Sequence, residues 1–120
     1  MNSEVKQRIV QELVPGKQIT LAHIIANPDV ILLKKLGMAG DKTAPKAAIA
    51  VLTVTPAETA IILADIAIKA AGVNLGHLDC SENGSLIVTG TVSEAEASVA
   101  AILEYAKNTL RYEVCDVTRT

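Results

Sequence analysis

"IVQELVPGKQITLAHIIANP", residues 9–28, decides how the chain begins to fold. A short extended segment (9–14) meets a Pro15-Gly16 break. A longer segment rich in β-branched residues (17–26) follows and stops at Asn27-Pro28, a helix-start signal. The second segment reads as a strand. The first precedes every packed element and has nothing in its own chain to pair with. An apolar arm ahead of a domain that reads as complete without it calls for a partner outside that domain.

Outward from this stretch, three helices follow from their terminus signals. In the first, Asn27 is the N-cap, Pro28 holds the first helical position, Lys34 and Lys35 occupy the last turn, and Gly37 is the stop. The second has Thr55 as cap, Pro56 opening, Glu58 in capping-box position and Gly72 at its end. The third pairs Ser93 with Glu96 and runs to about Asn108. "AAIAVLTV" (47–54) is another strand candidate. "NLGHLDC" (74–80) and "SLIVTGTV" (85–92) flank "SENG", whose Asn83-Gly84 signals a hairpin turn. The tail "RYEVCDV" (111–117) alternates as an edge strand would, and "GMAGDKTAPK" (37–46) is the one long polar connection. The order is arm, strand, helix, strand, helix, hairpin, helix, tail. That order describes an α+β domain: a two-layer α/β sandwich of helices on a mixed or antiparallel sheet.

The second helix carries Ala57, Ala60, Ala64, Ala67 and Ala71 at steps of three and four, a seam of small side chains. Its polar groups, Glu58, Asp65 and Lys69, fall on one narrow stripe, with Asp65 and Lys69 at i,i+4 spacing. A helix with so thin a wet face is enclosed on most sides. Packing on the sheet explains part of the seam, and close approach of a neighbouring subunit would explain the rest.

Composition points the same way. The 120 residues are half apolar and only 20% charged, with a mean hydropathy of +0.36. A single domain of this length buries roughly two-thirds of its unfolded surface, so the surplus is most simply absorbed by subunit interfaces. No apolar run approaches the ~18 residues needed to span a bilayer, and the start lacks the apolar core of a signal peptide. Net charge is −2 with no basic block, and Tyr105 and Tyr112 are the only aromatics, so nucleic acid is not the expected partner. Cys80 and Cys115 are expected to be free thiols.

The chemistry of catalysis is mostly missing. "GMAGDKT" lacks the adjacent Gly-Lys of a phosphate loop, because Asp41 intervenes, and a helix precedes it where one should follow. His77 and Cys80, three apart in a strand, point to opposite faces and do not converge on one ion. His23, mid-strand, reads as a hydrogen-bonded packing residue. Glu58 and Glu96 are assigned to caps and Asp65 to Lys69. Asp79, Glu82 and Asp116 remain without a basic partner. No enzyme is expected, and no metal or cofactor within one subunit.

Four stretches carry a resemblance: "VPGKQITLAHIIANP" (14–28), "LTVTPAETAIILADIAIKAA" (52–71), "VTGTVSEAE" (88–96) and "CDVTRT" (115–120). Together they resemble the circularly permuted BMC-domain shell proteins of the ethanolamine- and propanediol-utilisation type (EutS/PduU-like), over nearly the whole chain from residue 8. The first and last stretches are the specific ones. The resemblance implies a hexameric tile in the shell of a bacterial microcompartment in the cytoplasm. Residues 17–120 would form a permuted, ferredoxin-like BMC domain whose usual last strand and helix stand first. It also implies a use for the arm, residues 1–16. Six arms would pair into a small β-barrel capping the central pore, with Ile9, Val10, Gln11, Glu12, Leu13 and Val14 in its strands and no free edge left.

The resemblance further implies that Cys80, Ser81, Glu82, Asn83, Gly84 and Ser85 ring the six-fold axis as a pore loop. Relatives carry Leu-Asp-Arg-Phe there, whereas this chain reads "LDCSENGS", one residue longer and without the Arg or the aromatic. Only six Cys80 thiols on one axis could gather a metal. Lys69 matches the edge lysine where neighbouring tiles meet, and Cys115 a packing cysteine. The implied partners are five further copies, other shell proteins in a lattice, and encapsulated enzymes or their targeting peptides. The competing expectation is an oligomeric small-ligand sensor of similar α/β sandwich fold.

Overall fold

The computed structural model describes residues 16–36 and 47–120. The elements run β1 (Gln18–Ala26), α1 (Val30–Lys35), β2 (Ala47–Thr55), α2 (Thr59–Ala71), β3 (Asn74–Asp79), β4 (Gly84–Thr91), α3 (Val92–Asn108) and β5 (Thr118–Arg119). One sheet of order β3-β4-β2-β1-β5 holds all five strands. Its neighbours are antiparallel except β5, which runs parallel to β1.

Alternation along the strands sends Ala48, Ala50, Leu52 and Val54 of β2, with Leu86 and Val88 of β4, to the helix side. There they meet Leu63 of α2 and Val99 and Ile102 of α3. On α2 the small residues Ala60, Ala64 and Ala67 lie buried in this core. The alanine seam is therefore spent within the subunit. The outer face of α2 carries Ile61, Ile62 and Ile68 instead, each more than 40% exposed.

The order of connections is that of a split β-α-β. β2 and β3 are parallel, joined through α2, with β4 between them. In a βαββαβ domain the strand after the second helix closes the sheet beside the first strand. Here that place, antiparallel to β2, is taken by β1, which comes earlier in the chain. The tail after α3 adds only the two-residue β5 outside it. That placement is the mark of a circular permutation.

Helix starts depart from the sequence expectation by two to four residues. Asp29, not Asn27, caps α1: its Oδ1 accepts from the Ile31 amide at 2.8 Å, while Asn27 turns through φ 53°. Pro28 therefore lies ahead of the cap rather than inside the helix, and Gly37 falls outside the described residues. Thr55 closes the β2 ladder opposite Gln18, and Pro56, Ala57 and Glu58 separate it from α2, so it does not cap the helix. The helix begins at Thr59, whose amide donates to Pro56, and the Glu58 side chain makes no cap bond. Gly72 ends α2 at φ 67°, as expected of a left-handed cap. For α3 the capping box is Thr91 with Glu94, each side chain satisfying the other's backbone amide at 3.1 and 2.9 Å. Ser93 and Glu96 are inside the helix, and Glu96 pairs with Arg119.

Candidate functional site: the hairpin loop and the surfaces around it

The hairpin loop is shorter than its sequence suggests. Asp79 opposes Ser85 as the last ladder pair, so only Cys80–Asn83 turn. Gly84 is already in β4, opposite Val54. It serves close approach rather than a left-handed turn. A Cβ there would stand 2.6 Å from the Ala57 carbonyl oxygen and 2.8 Å from Val54 Cγ1. Asp79 Oδ1 accepts from the Ser81 amide at 2.9 Å. That bond, with help from the Ser81 hydroxyl and the nearby His77, holds its carboxyl below the ordinary value of 3.8. Ser81, Glu82 and Asn83 are exposed, while Cys80 is half-buried against the core and Ser85 half-buried in the strand. The loop thus presents Glu82 beside the half-buried Asp79 that ends β3, and Ala57, just ahead of α2, packs closely on the first residue of β4 behind it.

This loop and the start of β1 share one end of the sheet. Gln18 pairs with Thr55, and the neighbouring Val54 pairs with Gly84. Two strand spacings, about 10 Å, separate them. The first residue of β1, Gln18, therefore lies beside the loop. Residues 9–14 themselves, expected as barrel strands, lie outside the described residues, as does the loop 37–46. Lys69 is far from both: it is in the last turn of α2, about 15 Å along the helix from its start. There it pairs with Asp65 at 2.9 Å, with both side chains mostly exposed. Loop and lysine do not form one site.

At the other side of the sheet, His23 uses both ring nitrogens. Nδ1 lies 2.6 Å from Thr118 Oγ1 and Nε2 3.0 Å from Thr120 Oγ1. It is hydrogen-bonded as expected, but to the tail rather than within the core. Sequence reading missed the tail contacts, because it placed an edge strand at 111–117. Only Glu113 bridges to Gln18 there, and the ladder forms at Thr118–Arg119. The alternation Thr-Arg-Thr was the available signal. Cys80 and Cys115 are free thiols, and burial pushes the Cys115 thiol up. Among the described residues no three His, Cys, Asp or Glu side chains gather where a metal could sit, and no helix is long and apolar enough to cross a membrane.

A permuted ferredoxin-like sandwich with a tight acidic loop at one end and a helix carrying bare isoleucines outward defines an assembly domain, whose surface is built for neighbours. Comparison with known proteins gives the family. The BMC domain profile matches residues 48–118, beginning after β1 and α1, the two elements carried to the front. The shell protein EutS of Escherichia coli (strain K12) is 43% identical over 116 residues, 96% of this chain and 98% of the relative. The shell protein PduU of Salmonella typhimurium is 42% identical over 113 residues, 94% and 93% of the two chains. Among solved structures, the CutR flat hexamer (form 1) superposes with a TM-score of 0.79 at 44% identity, covering 94% of this chain and 99% of that one. The chain belongs to the BMC-domain family of bacterial microcompartment shell proteins, in its circularly permuted EutS/PduU-like branch. Its relatives are shell proteins, not enzymes, and it is a structural component of such a shell.

Proposed function

We propose that six copies of this chain form a hexameric tile of a microcompartment shell in the bacterial cytoplasm, with the central pore capped by a β-barrel of six N-terminal arms. The observation that carries it is the likeness to the CutR flat hexamer across nearly the full length of both chains. The bare Ile61, Ile62 and Ile68 support it, since such side chains gain from burial against a neighbour. In this tile Cys80, Ser81, Glu82, Asn83, Gly84 and Ser85 surround the axis. Residues 1–16 are the capping arm, residues 17–120 the tile body, and Lys69 faces the next tile. Gln18, the first residue of β1, lies at the loop's end of the sheet, which supports a cap over the pore built from the residues before it. Ile9 to Val14 would close the barrel and remove every free strand edge.

Native mass spectrometry on the full chain and on a chain lacking residues 1–16 tests this. Both should give six copies, because the described sheet, helices and core all lie within residues 17–120. Single copies from the full chain would overturn the tile. Loss of the ring on removing the arm would overturn the division into body and cap.

A further inference from the structure

The outer edge of β1 is guarded by an unusual device. The tail's backbone pairs with it at two places, and between them only the Cys115 thiol reaches it, at the Ala22 backbone. Near Gln18, Glu113 exchanges backbone bonds with Lys17 and Ile19 at 3.1 and 2.9 Å. Near the far end, the Thr120 amide donates to Ile24 and its carbonyl accepts from Ala26, at 2.9 and 3.1 Å. Residues 114–117 pair with nothing in the ladder. The far contact is held by side chains, one from each of three successive residues. Thr118 and Thr120 grip the two nitrogens of His23 on one face, and Arg119 pairs with Glu96 of α3 on the other. Yet the three residues are themselves exposed and bury no core surface. Such a contact rests on a few polar bonds and opens without disturbing the core.

What lies beneath is an edge without the usual defences. From Gln18 to Ala26, "QITLAHIIA" has no charged residue and no proline, and it carries three isoleucines. Its one bulge, between Ile19 and Leu21, faces β2. Natural edge strands are normally blunted by lysines, prolines or outward bulges, because a bare apolar edge pairs with the next available strand. The most available is its own copy: two antiparallel β1 edges would set isoleucines against each other across a two-fold axis.

We infer that residues 118–120 are a releasable guard strand clasped by His23 and Glu96, and that the β1 edge it covers pairs with β1 of a second copy once the guard is lifted. The clasp thereby keeps subunits from joining edge to edge. The inference does not depend on how many copies the intact chain assembles into, since each measurement compares a variant with the parent.

Two variants test it: a chain ending at Val117, and Thr118→Val with Thr120→Val, which keeps the guard's shape while removing both hydroxyls. Amide exchange at Ala26 should quicken about tenfold or more in each, the factor expected from one or two lost hydrogen bonds. Native mass spectrometry of the shortened chain should show a species of twice the parent assembly's mass. Unchanged exchange at Ala26 in the double variant overturns the clasp, whether or not the shortened chain folds. Faster exchange with no doubled species overturns β1 pairing with a second copy.

Discussion

At the scale of single residues, the buried Thr59 and Ser98 hydroxyls among the described residues are both paired, and their removal is measurable. The Tyr112 hydroxyl meets Thr59 Oγ1 at 2.6 Å, with both residues buried. Tyr112→Phe would strand the Thr59 hydroxyl in the core, so the urea midpoint should fall by the equivalent of about 1–2 kcal/mol. Asp79 behaves differently because it is only half-buried, at the edge of the hairpin. Its folded-state value is lowered, so the bond to the Ser81 amide is intact above the ordinary value of 3.8 and is lost as pH falls through the lower folded value. Its carboxyl carbon should therefore titrate below 3.8 by NMR, and the Ser81 amide shift should follow the same curve. Neither pairing was legible beforehand. A carboxylate answered by a backbone amide leaves no mark in the sequence, and Thr59 and Tyr112 meet only through the fold.

At the scale of elements, the helices and the described strands β1 to β4 could be located, but the tail strand and the helix starts could not. Each start depended on how the chain leaves the strand before it. Thr55 and Thr91 are both the last residue of a strand, opposite Gln18 and Ala47. But α3 starts directly at Val92 whereas Pro56–Glu58 intervene before α2, so only Thr91 becomes a cap. "TVSE" and "SEAE" carry the same capping pattern two residues apart, and only the end of the β4 ladder chooses between them. Thr91→Ala should cost about 1 kcal/mol and fray the first turn of α3, visible as faster exchange of the Glu94 amide. Ser93→Ala should be nearly silent. The alanine periodicity of α2 was legible as a close-packed seam, but periodicity alone does not say which neighbour fills it. If Lys69 faces the next tile, Lys69→Ala should weaken sheet formation in electron micrographs. Its thermal midpoint should hardly move, because an exposed ion pair contributes about 0–1 kcal/mol.

At the scale of the whole molecule, the two-layer architecture followed from element order and the permutation from resemblance. The sheet order then gave the permutation a physical basis, with β1 seated where a later strand would close the sheet. The apolar surplus read from composition has a location too: it is in Ile61, Ile62 and Ile68 and in the almost wholly uncovered α1, none of whose residues is buried. The two ends of β1 have a practical consequence. Gln18 lies beside the hairpin loop, whereas Thr120 lies by Ala26, at the opposite end of a nine-residue strand, about 30 Å away. A fluorophore attached at Lys17 and another at Thr120 would therefore sit at opposite ends of the same protomer. Quenching either one with a bulky reagent would report which end of the sheet an assembled wall leaves open to its surroundings.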